Sequence, residues 1–408
     1  MWRPVMAPGG RPSNAPFLAV VGSSARMLAQ SARRAGLNVA ALDIFGDRDT
    51  RQYAPLWFDI GGEDLSIDRA RLFDALERTA RLPRMLGFVM GSGLESLAEE
   101  LSRTSGLPRF IGNAAEATAA VRDPRRFFAL LDRLGIAHPQ VSWRPPADSA
   151  GWLLKRANGC GGMHVRLASQ AGVPGASPPT DGYFQRVASG RSMSALFVGA
   201  RRQAAVIGFA EQLSTAAGDL PYLHTGSIGP IDLPPAISAA VKAAIGAIVS
   251  ETGLTGLNSL DFLLDGDRFQ VLEINARPSS TMTLYETAAP QAWPRGLIGC
   301  HLDACFDADL PSPGPTTARS RAGQRVVFAP CGFVVSRHFS DACFSDPFCH
   351  DVPQPGMVIG AGEPVCTLVV AQPSLPSVRE ELARREALLF QRMETCHEDT
   401  DDVIRFSA

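Results

Sequence analysis

Asp261, Glu273 and Asn275 are oxygen-bearing side chains set on either side of Asp265-Gly266-Asp267, in the stretch GLNSLDFLLDGDRFQVLEINARP from Gly256 to Pro278. The runs SLDFLL and RFQVLEI are apolar and strand-length, and the residues between them are those a tight turn prefers, so the stretch reads as a β-hairpin. Pairing Leu264 with Arg268 across the turn puts Asp261, Glu273 and Asn275 on one face, with Asp261 diagonal to Glu273. Such a face suits Mg²⁺, which takes oxygen ligands at roughly 2.0–2.1 Å and is commonly held by one or two carboxylates plus the phosphates of a nucleotide. Arg277 places a fixed cation beside the same spot. The competing reading is a surface hairpin with solvated acids. Against it, Glu273 lies in an apolar strand, where an unpaired carboxylate is costly to bury.

A second group with chemical potential lies upstream. Of the 39 basic residues only two, Lys155 and Lys242, are lysine, a bias toward arginine that makes a retained lysine informative. Lys242 sits in the helical pattern AISAAVKAAIGAIV, where solvation accounts for it. Lys155 stands before Asn158-Gly159-Cys160-Gly161-Gly162. Glycines there let backbone N–H groups approach phosphate oxygens, and the ammonium neutralises them as a point charge. The stretch lacks the G-x-x-x-x-G-K-[ST] pattern of a P-loop, and glycine-rich hairpins are common.

The elements that must position these groups follow from periodicity. FLAVVG, the helical pattern SSARMLAQSARRAG with Gly36 as its stop, and LNVAALDIF form a β-α-β start. With a helix from Ser66 to about Arg81 and the strand RMLGFVM, they indicate an open parallel sheet. The loop after the first strand lacks G-x-G-x-x-G, which disfavours a dinucleotide site despite Asp43 at the end of the second strand. Glu95 ends the next strand where such sheets commonly bind ligands, although a helix N-terminus with a favourable acid explains it as well. Asp123-Pro124 opens a helix to Gly135. From Trp152 the strands WLLKR, MHVRLA, YFQRV, MSALFV and AAVIGFAEQL read as a small antiparallel lid, and helix 234–252 leads into the hairpin. After a Pro/Gly linker near residue 311, short strands between Pro/Gly turns and a helix over 375–395 read as a β-rich terminal domain. Its PGMVIGAGEPVCTLVVA is similar to carrier-type sandwiches, but with no lysine after Lys242 it cannot be a biotinylated or lipoylated carrier.

The chain has 408 residues, a hydrophobic fraction of 45% and a net charge of −2, values of a soluble globular protein with no bias toward nucleic acid or anionic membrane. There is no signal-peptide pattern and no membrane-length apolar run, which points to the cytoplasm. None of the eight cysteines falls in a C-x-x-C pair, so free thiols are expected. His338, Cys343, Cys349 and His350 can be drawn as a zinc site, but their spacing fits ordinary strand and loop residues better.

The order of lysine, glycine loop, Gln185-Arg186-Val187 and acidic hairpin resembles the ATP-grasp superfamily. The resemblance is carried by SSARMLAQSARRAG…ALDIFGD, KRANGCGG, QRVASGRSMS, GLTGLNSLDF, LEINARPS and GEPVCTL, over nearly the whole chain. Within the superfamily the chain is similar to the predicted ligases related to biotin carboxylase that occur with one-carbon pterin and furan cofactor genes in methylotrophs. The resemblance implies an α/β fold with an α+β lid: a Rossmann-like parallel-sheet domain over 1–120, an ATP-grasp domain over 121–310, and a β-rich sandwich-like domain over 311–408. It places the lid at about 150–212 and the metal-binding core at about 213–310.

For the site, the resemblance implies that Lys155 contacts the ATP α/β-phosphates, that Gly159, Gly161 and Gly162 cover them, and that the Gln185-Arg186-Val187 backbone reads adenine. Asp261, Glu273 and Asn275 would hold Mg²⁺, and Arg277 would stabilise an acyl phosphate or oxyanion. Ser192 stands where many members carry a ribose-binding acid. Pro124 replaces another phosphate-binding lysine, leaving Arg125 or Arg126 as substitutes. Ser279, Ser280, Thr281 and Glu286 are acceptor-site candidates, or equally a polar helix start. The implied reaction joins a small-molecule carboxylate to an amine at the expense of ATP, with a homodimer as the implied assembly. A carboxylating enzyme is disfavoured by PSSTMTLYE after Arg277, and an ATP-binding protein without turnover is the remaining alternative.

Overall fold

The computed structural model describes residues 14–157, 159, 161–170, 182–312 and 320–406. The chain opens with β1 (Phe17–Val21), α1 (Arg26–Arg34), β2 (Asn38–Asp43), α2 (Arg48–Tyr53), β3 (Leu56–Asp59), α3 (Arg69–Thr79) and β4 (Met85–Met90). These strands form a parallel sheet in the order β3-β2-β1-β4. The unbroken apolar run of β1 is what a strand covered on both faces requires. Gly36, at φ +77°, ends the first helical segment as expected. The helix expected from Ser66 begins later, where the Asp68 carboxylate accepts the Arg71 N–H at 2.9 Å and caps it. Three further helices follow: α4 (Ala98–Arg103), α5 (Ala115–Arg122) and α6 (Pro124–Leu134). Asp123 caps α6, accepting the Arg125 N–H at 2.8 Å, and Gly135 closes it at φ +65°.

The small sheet contains β5 (Val141–Ser142), β6 (Trp152–Arg156), β7 (Val165–Leu167) and β8 (Gly182–Arg186), in the order β5-β8-β6-β7. The strands MSALFV and AAVIGFAEQL are not part of it. They lie in β9 (Arg191–Ala200) and β10 (Gln203–Ala217), which with β11 (Leu220–Gly229) belong to an eight-stranded sheet. Residues 193–200 are all buried, so β9 needs a neighbour on each edge and cover on both faces, which a four-stranded lid cannot supply. After α7 (Pro235–Thr252), the hairpin β12 (Gly256–Asp265) and β13 (Arg268–Asn275) forms the edge of that sheet, with β9 paired to β12. Ile237, Val241, Ile245 and Ile248 of α7 share one core with Phe127 and Leu131 of α6 and with Leu260 and Ile274 of the hairpin.

Next come α8 (Met282–Ala288) and α9 (Gly296–Phe306), whose Leu297, Ile298 and Leu302 pack with Leu28, Ala29 and Ala32 of α1 and tie the parallel sheet to the large one. The terminal segment comprises β14 (Arg321–Phe328), β15 (Phe333–Val334), α10 (Arg337–Ser345), β16 (Cys349–His350), β17 (Val358–Ile359), β18 (Pro364–Gln372) and α11 (Leu375–Phe406). It does not make a sandwich of its own. β14 pairs with β11 on one side and β18 on the other, so the large sheet runs on as β13-β12-β9-β10-β11-β14-β18-β16. The Pro/Gly punctuation marks the strands but carries no information about their partners.

Six cysteines, from Cys300 to Cys366, are free thiols, and Cys160 lies outside the described residues. Among the described residues no three His, Cys, Asp or Glu side chains group to hold a metal. No described helix is long and apolar enough to cross a membrane.

Candidate active site

The first strand of the hairpin runs one residue further than its sequence suggests, and the turn is one residue shorter. Asp265, not Leu264, faces Arg268, leaving Gly266-Asp267 as a two-residue turn. In that register Asp261 would face Leu272 and Glu273 would point to the other side of the sheet. A β-bulge between Asp261 and Phe262 absorbs Leu272 as an extra residue and sets Glu273 directly opposite Asp261. The expected common face therefore exists, built by the bulge.

Asp261 is buried, 8% exposed, and Glu273 is half-buried, with 31% of its side chain accessible. Asn275 Nδ2 donates to Asp261 Oδ2 at 3.1 Å, whereas Asp261 Oδ1 is buried without a hydrogen-bond partner. Burial, then the adjacent Glu273, pushes the Asp261 carboxyl up to about 6. Glu273 moves the other way: burial works against its charge, but Lys155, His164, Arg122 and Arg277 outweigh that and hold it below the usual range. A buried, partnerless carboxylate oxygen beside a second carboxylate lacks a cation, and the hard oxygen donors fit Mg²⁺. Asn275 engages its own oxygen with Arg277 Nη2 at 3.3 Å, so Asp261 and Glu273 are the more available donors.

Lys155 lies on β6, 6% exposed, between Tyr183 and Val165 of the neighbouring strands. Its Nζ donates to Gln185 Oε1 at 3.3 Å and stands 4.0 Å from Glu273 Oε2. Burial lowers its pKa, yet Tyr183 and Glu273 prevail and raise it, keeping the ammonium charged. The glycine loop is pinned against β11, where the His224 N–H donates to the Gly161 carbonyl at 3.0 Å. Gly162, at φ +78°, has no alternative there: a Cβ would sit 1.8 Å from the Tyr222 carbonyl oxygen.

These parts converge on a cleft of about 1040 Å³ between the small sheet and the large one. Of the residues singled out from sequence, Lys155, Gly161, Gly162, Gln185, Arg186, Val187, Ser192, Asp261, Glu273, Asn275 and Arg277 line it. Gly159 is not among the lining residues; a Cβ on it would strike the His164 ring. The N–H groups of Arg186 and Val187 are already given to the Gln140 and Gly151 carbonyls, at 2.8 and 2.9 Å. Ala188, the next residue along the lip, has no such partner among the described residues.

Several residues act differently from their expected parts. Ser192 gives its hydroxyl to Gln212 Oε1 at 2.8 Å, and the acid beside it in the cleft is Glu211. Arg125 and Arg126 are exposed and do not line the cleft, and Arg125 stacks on Trp143. The cation that α5–α6 brings to the glycine loop is Arg122, donating to the Ala157 carbonyl at 2.5 Å. Glu95 forms an ion pair with Arg277 at 2.9 Å, both side chains largely buried. Ser279, Ser280 and Thr281 line the cleft, but Glu286 does not. It accepts from Ser31 Oγ at 2.5 Å and the Leu297 N–H at 2.8 Å, with Arg34 at 3.2 Å, and so bolts α1 to α9. Glu286→Leu is therefore expected to lower unfolding free energy in urea by on the order of 3 kcal/mol, by stranding those partners. A melt unchanged from wild type would contradict this. His164 and His224, both in the cleft, give no signal in the sequence. Burial, then Arg277, lowers His224 to about 4, so it is neutral at neutral pH.

The sequence profile of the ATP-grasp domain matches residues 121–281. The chain therefore contains an ATP-grasp domain, and its fold is the mixed α/β ATP-grasp fold, with a parallel-sheet domain and antiparallel sheets. The structure is similar to biotin carboxylase from Campylobacter jejuni, solved as a β,γ-ATP complex, with a TM-score of 0.67 over 89% of each chain at 14% identity. It is also similar to N5-carboxyaminoimidazole ribonucleotide synthetase from Thermus thermophilus, with a TM-score of 0.64 over 90% of this chain and 97% of that one at 18% identity. A third likeness is to the biotin carboxylase domain dimer of 2-oxoglutarate carboxylase from Hydrogenobacter thermophilus, which holds MgADP, ADP and bicarbonate. There the TM-score is 0.65 over 89% and 88% of the two chains at 14% identity. No curated protein sequence matches the chain.

Proposed function

We propose that this protein is an ATP- and Mg²⁺-dependent ligase that joins a carboxylate to an amine through an acyl phosphate. The observation that carries the reading is the meeting of Lys155, Arg277 and the facing Asp261–Glu273 carboxylates in one cleft beneath a glycine loop. Anion-binding groups and a cation-deficient carboxylate pair then face each other, the complement of a metal-bound polyphosphate.

In this reading adenine lies at the lip formed by Gln185, Arg186, Val187 and Ala188. Lys155 neutralises the α/β-phosphates, and the N–H groups of Gly161 and Gly162 cover them, whereas Gly159, expected to share that part, stands outside the cleft lining. Asp261 and Glu273, with Asn275 beside them, hold Mg²⁺, which when bound supplies charge neutralisation at the phosphates. The substrate carboxylate attacks the γ-phosphorus and ADP departs. The amine nitrogen, as the free base, then attacks the acyl carbon, phosphate leaves with the electron pair of the broken C–O bond, and the nitrogen releases its surplus proton to solvent. Arg277, held by Glu95, lies where charge develops in both steps, so the protein contributes positioning and electrostatics. Ligation in the biosynthesis of a tetrahydromethanopterin- or methylofuran-type cofactor, a cytoplasmic location and a homodimer are finer readings supported by the sequence alone.

The test is the nucleotide product. Purified protein, Mg·ATP and fractions of a small-molecule extract are expected to release ADP; release of AMP instead would exclude γ-phosphoryl transfer to a carboxylate. Gly162→Ala is expected to weaken Mg·ATP binding by about tenfold, since backbone strain of roughly 1–3 kcal/mol falls on the loop. Titration calorimetry reads this directly, and unchanged affinity would remove the loop from the nucleotide site.

A further inference from the structure

Three of the free thiols meet in the terminal segment: Cys343 on the last turn of α10, Cys349 on β16 and Cys366 on β18, at 0%, 7% and 2% exposure. The strand ladder brings two of them together. Cys349 pairs with Leu368, so Cys366, two places earlier on β18, lies diagonal to it on the same face. A tight connection supplies the third. The Asp346 N–H donates to the Cys343 carbonyl at 3.1 Å and the Cys349 N–H to the Asp346 carbonyl at 3.0 Å, which folds the chain back between α10 and β16. Cys349 is the middle member, in hydrogen-bond contact with both other thiols.

The helix α11 adds a cation. Arg392 Nη1 donates to Cys349 Sγ at 3.9 Å, while its Nη2 is fixed on Asp346 Oδ2 at 3.0 Å, with Arg385 on the same carboxylate at 3.4 Å. Hydrogen bonds from Cys343 and Cys366, with Arg392 beside them, outweigh burial and the Asp346 charge and hold Cys349 well below the usual thiol range. Cys343 and Cys366, the donors, move upward and keep their protons. A cysteine that only fills a core behaves as a small hydrophobe and needs no guanidinium. Here a thiolate lies between two thiols, on the two-residue strand that ends the large sheet. A metal ion suits the cluster less well, because no three ligating side chains group to hold one among the described residues.

The geometry points to a redox modification site, in which Cys349 reduces a small hydroperoxide and Cys343 closes the product to a disulfide. The Cys349 sulfur attacks one peroxide oxygen, the O–O bond breaks, and the departing oxygen takes a proton and leaves as water or alcohol; Cys349 is then a sulfenic acid. The Cys343 sulfur attacks the Cys349 sulfur, the S–S bond forms, and hydroxide leaves with the electron pair of the S–O bond and takes the Cys343 proton as water. Two electrons pass from the two thiols to the peroxide. Cys343 resolves the sulfenic acid in preference to Cys366 because Cys366 is paired with Val327 in a strand held on both edges, whereas Cys343 ends a helix beside a turn. With Cys349 only 7% exposed, the oxidant is limited to a compact molecule such as hydrogen peroxide. The disulfide forms close to Asp351, whose carboxylate takes Arg26 Nε and Nη2 at 3.0 and 3.1 Å, so oxidation acts beside the seam between the terminal segment and the parallel sheet.

The test is treatment of the reduced full chain with hydrogen peroxide, followed by alkylation of the remaining thiols and peptide mass spectrometry. Joint loss of the Cys343 and Cys349 thiols is expected, with a disulfide between their peptides that dithiothreitol reverses. In Cys343→Ser the sulfenic acid should persist on Cys349 and be labelled by dimedone on unfolding. Adding Arg392→Gln to that variant should lower the labelling, a readout that a merely packed cysteine pair would not move. Oxidation of exposed Cys331 with the cluster untouched, a bridge from Cys349 to Cys366, or a sulfenic acid on Cys343 in Cys349→Ser would each overturn the proposal. Stoichiometric binding of Zn²⁺ by the reduced protein, abolished in Cys349→Ser, would overturn it in favour of a metal site. Should the variants not fold, the disulfide map of the wild type decides the matter.

Discussion

Glu273→Gln is expected to lose all measurable Mg²⁺-dependent turnover while the protein remains folded. The substitution removes one of the two carboxylates that the bulge at Leu272 sets face to face, and the amide left behind is a weak ligand for a hard cation. It also deprives Lys155 of its ion-pair partner at 4.0 Å. Relief of the repulsion from Glu273 should let the Asp261 carboxyl fall from about 6 toward the ordinary carboxylate range. Steady-state kinetics across Mg²⁺ concentration, with circular dichroism as the folding control, makes the check. Unchanged kcat would remove the pair from the chemistry. A coincident loss of activity and melting temperature would make it structural.

Arg277→Ala is expected to lower kcat by about 10²–10³, the effect of removing a donor aimed at developing negative charge. The guanidinium is not free to drift: Glu95 holds its Nε at 2.9 Å, and Glu95 itself is anchored by the Gly93 N–H at 2.8 Å. Because that anchoring comes from the parallel sheet, Glu95→Gln should also reduce kcat, by less, while leaving the KM for ATP unchanged. A pure loss of ATP affinity in Arg277→Ala, with kcat retained, would instead assign this arginine to ground-state nucleotide binding.

Much of the site is legible in the sequence because it is local. Asp261, Glu273 and Asn275 share a hairpin, and an alternation of two is enough to put them together even with the turn misplaced by one residue, since the bulge restores the face. Lys155 stands out because lysine is rare in this chain, and Asp123-Pro124 with Gly135 marks α6 by its caps. What the sequence hides is long-range. Arg277 meets Glu95 across 182 positions, and Ser31 meets Glu286 across 255, with no spacing to announce either. Arg122 does not stand out because the helix that follows offers Arg125 and Arg126 closer to the expected place, and only the packing of α5 aims Arg122 at the loop. Sheet membership is hidden for the same reason. The strand-length apolar runs of β9, β10 and β14 identify strands, whereas their neighbours are set by the burial of whole layers.

The most direct test of acyl-phosphate chemistry is hydroxylamine trapping: the protein, Mg·ATP, hydroxylamine and fractionated small-molecule extract, with nucleotide and hydroxamate followed together. Stoichiometric ADP and a hydroxamate, both lost in Glu273→Gln, are predicted, and the mass of the hydroxamate would identify the carboxylate. Tight Mg·ATP binding with neither ADP nor hydroxamate from any fraction would contradict the account and leave an ATP-binding protein without turnover.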